Sequence, residues 1–186
     1  MERIMDRTIL HCDLNSFYAS VELLTRPDLW NLPVAVCGNP DDRHGIILAK
    51  NDCAKRFGVA TAETIWQAKR KCPDLILLPP HHDEYRAYSK IVNNIYYQYT
   101  DLVEPFGIDE SWLDITGSLN LFGGDPVKIA DEIRNRVRNE TGLTISVGVS
   151  FNKVFAKLGS DYSGRIVRAD DGYYHVTDIK MSYTGL

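Results

Sequence analysis

The sequence predicts an α+β fold in which a mostly antiparallel sheet carries helices on one face. Three observations lead to this class. Strand-like and helical segments mix along the 186 residues, a tight hairpin is predicted at 34–49, and a long amphipathic helix is predicted at 82–100. A short helical insertion at about 50–73 separates the hairpin from the later strands.

Strands are predicted where short apolar runs end at turn residues. The first run, 8–14, is mostly apolar up to Asp13, and the two strands of the hairpin cover 34–37 and 45–49. Further strands are predicted at 75–78, 102–106, 111–116 and 144–149.

Helices are predicted from apolar spacings of three and four residues and from caps and breakers. Asn15 or Ser16 caps the first helix, which runs to Leu24, and Asp125-Pro126 begins a helix that Gly142 closes. The apolar stripe of the long helix consists of Tyr85, Tyr88, Val92, Ile95 and Tyr99. The other helices are predicted at 52–57, 62–71 and 152–158.

The composition is that of an ordinary globular protein, since 44% of residues are hydrophobic and 25% are charged. No apolar run is long enough to span a bilayer, and Met1–Arg7 lacks the apolar core of a secretion signal. The four cysteines form no C-x-x-C pair, which favours reduced thiols over a zinc site or disulfides. We therefore expect a cytoplasmic protein without a membrane partner.

The charge is unevenly distributed along the chain. Lys and Arg total 21 and Asp and Glu total 25, so the net charge is −4 and argues against a protein that coats nucleic acid. However, residues 43–71 carry seven bases and two acids, 101–132 carry one base and eight acids, and 134–157 carry five bases and one acid. This separation is accidental or belongs to a site that handles metal ions and phosphates together.

Three acidic residues are candidates for such a site. Asp13 ends a predicted strand, where a helix cap is favoured over a ligand if Asp13 is considered alone. Asp109 and Glu110 follow Gly107 at a hairpin turn, where a solvated turn and a cation site are equally open. If the three carboxylates lie together, their hard oxygens suit two Mg²⁺ ions for phosphoryl transfer.

The remaining polar motifs carry less chemistry. Asp114 is expected to be structural. The pair His81-His82 lies at a predicted helix start, where a helix cap is favoured over a metal ligand. Gly123-Gly124 lacks the lysine of a P-loop, so phosphate contacts would come from isolated bases. The candidate bases, each commonly a solvated side chain when taken singly, are Lys50, Lys55, Arg56, Lys153 and Lys157.

Four ordered motifs resemble those of Y-family translesion DNA polymerases, in particular the bacterial DNA polymerase IV type with its UmuC-like catalytic domain. The motifs are DLNSFYASVE at 13–22, AKRFGV at 54–59, IDESWLD at 108–114 and SVGVSFNKVFAKL at 146–158. The resemblance covers residues 9–161.

The resemblance implies a catalytic domain at 1–161. Its palm, with a ferredoxin-like sheet, would cover 1–33 and 74–161, and its fingers would cover 34–73. The resemblance fades after Asp161, so we expect a tail of unknown role at 162–186 and no thumb or little finger. The family's sliding-clamp segment is likewise expected to lie outside this chain.

The resemblance also implies roles for individual residues. Asp13, Asp109 and Glu110, with the Leu14 carbonyl, would bind two Mg²⁺ ions while a primer 3′-hydroxyl attacks the α-phosphate of a dNTP on a DNA primer–template. Tyr18 falls at the steric-gate position that excludes a ribose 2′-hydroxyl, whereas Phe17 suits the core. The dNTP-binding residues implied are Asn15, Ser16, Phe17, Tyr18, Lys55 and Lys157.

The chain departs from the family in the fingers, where many members carry Tyr and Arg in place of Asp52 and Lys55. Lys55 can neutralise phosphate as a point charge, but Asp52 should repel a triphosphate. We expect a low-fidelity polymerase for damage bypass or repair, with weak DNA binding and activity in this chain alone. The alternatives are a catalytically silent relic that binds DNA or protein, and, more remotely, a nucleotidyl cyclase.

Overall fold

The computed structural model describes residues 7–39 and 44–161, so the predicted tail at 162–186 lies outside the described residues. Contacts divide the chain into two compact units. The four-stranded unit contains residues 7–14 and 89–161 of the described chain, and the three-stranded unit contains the described residues of 15–88. The predicted fingers segment, 34–73, lies within the three-stranded unit, and its assignment as fingers stays a prediction.

Secondary structure follows the predicted order. The strands are β1 (Ile9–Leu14), β2 (Val34–Cys37), β3 (Ile47–Lys50), β4 (Ile76–Leu78), β5 (Val103–Phe106), β6 (Glu110–Asp114) and β7 (Ile145–Ser150). The helices are α1 (Phe17–Leu24), α2 (Asp52–Arg56), α3 (Ile65–Lys71), α4 (His82–Tyr96), α5 (Pro126–Thr141) and α6 (Lys153–Asp161). Single 3₁₀ turns occur at Pro27–Leu29 and Leu119–Phe122.

The four-stranded unit has an antiparallel sheet in the order β5-β6-β1-β7. Together with α4 and α5, these strands give the β-α-β-β-α-β sequence of a ferredoxin-like fold, which confirms the predicted class. β1 lies between β6 and β7, and its mostly apolar residues are almost all buried. A strand between two partners is covered by neighbours on both edges, so such an apolar run suits it.

Helices cover both faces of this sheet, whereas the prediction had them on one. Ser111, which lies opposite Cys12, donates a hydrogen bond of 2.8 Å to Asn93 of α4. His11, the neighbour of Cys12 in β1, contacts Ser160 of α6 at 2.6 Å. Since adjacent strand residues point to opposite faces, α6 adds a helix to the face opposite α4.

Gly148 in β7 allows α6 to lie directly on the sheet. A Cβ atom at this position would lie 1.8 Å from the carbonyl oxygen of Ala156 and 2.7 Å from the backbone nitrogen of Ser160. Both are backbone atoms of α6, so a side chain at 148 would force the helix away from the sheet.

α5 begins and ends as the sequence predicts. The Asp125 carboxylate accepts hydrogen bonds from the backbone nitrogens of Val127 and Lys128, and Pro126 occupies the first turn. Gly142 ends the helix with φ of 76°, a left-handed conformation that favours glycine.

The three-stranded unit contains the predicted hairpin of β2 and β3, which pair antiparallel. β4 joins β2 in parallel, with Val34 opposite Ile76, so this small sheet is mixed. A buried core holds β2 and β3 against the short helices α2 and α3; its members include Ala35, Cys37, Ile47, Ala54, Ile65 and Ala68.

Three predicted helix boundaries were wrong. α6 ends at Asp161 and not at 158. α4 ends at Tyr96 and not at 100. Beyond Tyr96, the backbone nitrogens of Gln98 and Tyr99 donate to carbonyls three residues earlier and not four, so the α-helical pattern stops. α3 begins at Ile65 and not at 62, because Thr64 caps it in a reciprocal capping box with Gln67.

Within the ranges 7–39 and 44–161, no helix is both long enough and apolar enough to cross a bilayer.

Replacing Gly148 with alanine should reduce the free energy of unfolding by about 1–3 kcal/mol, because the added methyl group overlaps the backbone of α6. Urea denaturation followed by circular dichroism measures this change. Gly117→Ala is the matched control, since nothing lies within 4 Å of its added Cβ atom. Equal stability of the two variants would contradict the close packing of α6.

Candidate active site

Asp13 and Glu110 are neighbours across two strands. β1 and β6 pair antiparallel with Asp13 directly opposite Glu110. Directly paired residues of an antiparallel sheet project from the same face, with their Cβ atoms about 4.5–5.5 Å apart. The register therefore brings together two carboxylates that are 97 positions apart in the sequence.

Asp109 joins them through the turn between β5 and β6. Gly107 has φ of +82°, which permits the tight turn. The carbonyl of Asp109 accepts a hydrogen bond of 3.0 Å from the Leu14 backbone nitrogen, so it lies beside the end of β1. Asp109 belongs to the turn and Glu110 begins the strand, an irregularity that lets adjacent carboxylates act at one place.

The cluster of Asp13, Asp109 and Glu110, called here the acidic cluster, is electrostatically unfavourable when all three are ionised. Burial, followed by the charges of Glu110 and Asp109, raises the pKa of Asp13 from 3.8 to about 7. Burial also raises the pKa of Asp109, and the charge of Glu110 adds to this effect. A bound cation would relieve the repulsion.

Lys157 of α6 supplies positive charge to the acidic cluster. Its Nζ atom lies 2.8 Å from Oε2 of Glu110 and 3.7 Å from Oδ1 of Asp161. Burial alone would lower the pKa of Lys157, but the hydrogen bond and charge of Glu110 raise it above its ordinary value. The ammonium therefore stays charged and holds Glu110 in the absence of another cation.

His11 is a buried part of this site that the sequence did not indicate. Its Nε2 atom lies 3.3 Å from Oε2 of Glu110, without hydrogen-bond geometry. Its Nδ1 atom lies 2.6 Å from the Ser160 hydroxyl, which itself donates to the Lys157 carbonyl. Nδ1 of His11 is therefore the donor to Ser160. The only sequence signal was a polar residue in an apolar strand.

The donor set of the acidic cluster suits a hard divalent cation, because it consists of carboxylate oxygens whose charges are only partly offset. However, nowhere in the described ranges are three or more His, Cys, Asp or Glu side chains close enough together to hold a metal ion. Glu110 is engaged by Lys157 instead. The assignment of Asp13, Leu14, Asp109 and Glu110 as metal ligands stays a prediction.

The other predicted nucleotide-binding residues belong to the three-stranded unit. Ser16 precedes α1 with φ of 50°, a left-handed conformation that is unusual for a residue other than glycine. Its side chain does not cap the helix. Asn15 accepts a hydrogen bond of 2.7 Å at its carbonyl from the Ser20 hydroxyl. Since α1 begins after Ser16 and Asp13 lies in β1, interpreting Asp13 as a helix cap was wrong.

The two aromatic residues at the start of α1 differ in burial. Phe17 is 3% exposed, which confirms it as the core residue. Tyr18 is only partly buried and stacks on Tyr85, with ring centroids 4.1 Å apart and ring planes at 10°. Its role as a steric gate stays a prediction, although its partial exposure suits a ligand contact.

Lys55 pairs with Asp52, the residue that was expected to repel a triphosphate. Its Nζ atom lies 2.9 Å from Oδ1 of Asp52, and both side chains are exposed. Among the other candidate bases, Lys50 donates to Thr61 at 2.8 Å, and Lys153 pairs with Glu104.

Asp114 is structural, as predicted. Its Oδ1 atom accepts hydrogen bonds from the backbone nitrogen and the hydroxyl of Thr116, at 3.0 and 2.6 Å.

Comparison with known proteins agrees with this geometry. The sequence model of the IMS family, described as the impB/mucB/samB family, matches residues 12–161. DNA polymerase IV of Acetivibrio thermocellus is 60% identical over 157 residues, which are 84% of this chain and 39% of that protein. DNA polymerase IV 1 of Bacillus subtilis is 45% identical over 155 residues, which are 83% of this chain and 37% of that protein.

Solved structures show the same fold. DinB from Sulfolobus solfataricus has a TM-score of 0.77 and 27% identity, covering 83% of this chain and 45% of its own. The insertion ternary complex of Dbh DNA polymerase has a TM-score of 0.76 and 27% identity, covering 84% of this chain and 46% of its own. A Y-family DNA polymerase chimera of Dbh and Dpo4 has a TM-score of 0.77.

The chain spans less than half the length of each of these relatives. The matched family model nevertheless covers most of the chain. The chain therefore belongs to the impB/mucB/samB family, and its relatives place it among the Y-family DNA polymerases.

Proposed function

We propose that this chain is the catalytic part of a translesion DNA polymerase that adds dNTPs to a primer 3′ end during damage bypass or repair. The observation that carries the proposal is the acidic cluster, in which the strand register sets Asp13 opposite Glu110 and the Asp109 carbonyl bonds to the end of β1. Burial and mutual repulsion raise the pKa of Asp13 there to about 7. A stable fold tolerates such repulsion most readily where it serves a site. The names of the DNA polymerase IV relatives support the same reaction.

The acidic cluster would hold two Mg²⁺ ions, with the Leu14 carbonyl as a further ligand. When bound, the ions would lower the pKa of the primer hydroxyl and neutralise the triphosphate. Asp13 and Asp109 would orient that site as carboxylates, because a cation lowers their pKa. Glu110 would exchange its contact with Lys157 for the metal.

Lys157 would then be available to a phosphate group. In the described structure its ammonium lies 2.8 Å from Glu110, on the helix that Gly148 holds against the sheet. A lysine is a mobile point charge on a flexible stem, so it can move from a carboxylate to a phosphate without moving the helix. Lys55 would contribute less, because Asp52 already pairs with it.

The partners would be a dNTP and a DNA primer–template, as the ternary complex of Dbh DNA polymerase suggests for that relative. Asn15, Ser16 and Phe17 would shape the nucleotide site, and Tyr18 would exclude a ribose 2′-hydroxyl. Since the chain spans less than half of its relatives, tight duplex binding and contact with a sliding clamp would belong to a longer protein. The chain alone should bind DNA weakly, and a cytoplasmic location would suit this role.

Binding of dNTPs should depend on Mg²⁺ and on the acidic cluster. Asp13→Asn and Asp109→Asn should each weaken dNTP binding in Mg²⁺ on the order of tenfold or more, because each removes a charged metal ligand. Isothermal titration calorimetry with dCTP, in Mg²⁺ and in EDTA, measures the affinity. Asp101→Asn, at an exposed carboxylate of the same unit, is the control and should bind normally. Unchanged binding in both cluster variants would refute the metal-site assignment.

Lys157 should compete with Mg²⁺ for Glu110 but strengthen the binding of nucleotide. Lys157→Met keeps the length of the side chain but removes its charge. It should therefore tighten binding of Mg²⁺ alone by about twofold to fivefold, the range for a partly exposed ion pair, and weaken binding of dCTP. Lys153→Met is the matched control, because Lys153 lies on the same helix as Lys157 and pairs with Glu104 of β5. If both variants bind Mg²⁺ like the unaltered chain, Lys157 does not compete with the metal.

A further inference from the structure

Glu22 is a buried carboxylate that neither the predicted motif roles nor the acidic cluster explains. It lies on α1 in the three-stranded unit and is 8% exposed. A glutamate is rarely this buried unless partners satisfy it, because removing a charge from water is costly. The contacts that compensate Glu22 therefore indicate what the carboxylate holds in place.

These contacts come from the start of α4. Oε1 of Glu22 accepts hydrogen bonds from the His81 backbone nitrogen at 3.1 Å and from the Tyr85 hydroxyl, which is a short contact. Oε2 lies 2.9 Å from Nδ1 of His81. The carboxylate thus binds three donors that are about 60 positions away in the chain, and it fixes the Tyr85 hydroxyl at one point.

The protonation states suit this arrangement. Burial, followed by the hydrogen bond to Glu22, raises the pKa of the Tyr85 hydroxyl, so it remains a donor. The hydrogen bond and charge of Glu22 raise the pKa of His81, which favours an imidazolium that donates from Nδ1.

The ring of Tyr85 stacks on the ring of Tyr18, so fixing the Tyr85 hydroxyl also restricts Tyr18. Tyr85 is fully buried, and its ring lies parallel to that of Tyr18, at 10° and with centroids 4.1 Å apart. His82 meets both rings edge-on, with centroids 5.8 Å from Tyr18 and 5.5 Å from Tyr85. Tyr18 is partly exposed. Its stacking contact with Tyr85 limits the positions that its ring can adopt.

We infer that Glu22 is a positioning residue that acts through Tyr85 to fix the ring of Tyr18 and thereby sets the preference for deoxyribose over ribose. The inference rests on the proposed function of Tyr18 as the steric gate. A steric-gate ring excludes a 2′-hydroxyl only if the ring cannot move aside. A free side chain would relieve a clash with one oxygen atom by a small rotation. The hydrogen-bonded phenol beneath Tyr18 removes that freedom.

The test compares the 186-residue chain with Glu22→Ala, Glu22→Gln and Tyr85→Phe. Affinities for dCTP and CTP in Mg²⁺, measured by calorimetry, give the sugar preference of each protein. Glu22→Ala and Tyr85→Phe should reduce the preference for dCTP on the order of threefold to tenfold, the range for one net hydrogen bond, chiefly by tightening CTP binding. Glu22→Gln keeps the volume and an acceptor oxygen, so it should restore part of the preference.

The matched control is Tyr99→Phe. Tyr99 donates a hydrogen bond of 2.7 Å to Glu132 in the four-stranded unit, so this variant removes a tyrosine–carboxylate bond of the same kind. It should leave the sugar preference unchanged. A purely structural role of Glu22 would lower stability in its variants without altering the ratio of the two affinities.

A second readout does not need nucleotide. The ¹³C resonances of the Tyr18 ring, assigned with Tyr18→Phe, should shift or broaden in Glu22→Ala and Tyr85→Phe but not in Tyr99→Phe. Unchanged Tyr18 resonances, or an unchanged preference in variants that still bind dCTP, would overturn the inference while leaving the proposed function intact. Absence of Mg²⁺-dependent nucleotide binding in the unaltered chain would instead refute the proposed function, and the ring resonances would still decide whether Glu22 positions Tyr18.

Discussion

The antiparallel pairing of β1 with β6 determines where the acidic cluster forms. With Asp13 opposite Glu110, both carboxylates project from one face of the sheet, and the bond from Leu14 to the Asp109 carbonyl continues the pairing into the turn. A slip of one residue would send Asp13 to the opposite face. Such a slip would also move every side chain of β1 to the other face of the sheet. The apolar side chains would then lose the packing that they have on their present faces. The local chemistry thus depends on a register that the core enforces.

The net charge of −4 acquires a different meaning in this structure. Acidic residues are concentrated at the turn before β6, where burial and mutual repulsion raise the pKa of Asp13 and Asp109. Lys157 offsets part of this charge at Glu110, and α6 can bring it there because Gly148 lets the helix lie on the sheet. The negative charge is therefore compatible with the proposed catalytic role, in which Mg²⁺ ions would offset it. It does not exclude a nucleic-acid partner whose main basic contacts would lie in a longer protein.

Local patterns were sufficient for most of the fold but not for the contacts between distant segments. The Asp125 cap and Gly142 end of α5 follow from neighbouring residues, and Gly107 correctly indicated the turn that precedes Glu110. Apolar spacing predicted that Tyr85 is buried, but its stacking on Tyr18 joins two helices far apart in sequence. The contacts of His11 and Glu22 were missed for the same reason, since each polar side chain finds its partners only after folding.

The most direct test of the account is the pKa of the Asp13 side chain, measured by ¹³C NMR with and without divalent cation. In EDTA, the carboxyl should titrate near pH 7, because burial and its acidic neighbours disfavour the charged form. With saturating Mg²⁺ the pKa should fall below its ordinary value of 3.8, because the ions favour the carboxylate. A pKa near 4 in EDTA, or one near 7 that Mg²⁺ leaves unchanged, would contradict a metal site at the acidic cluster.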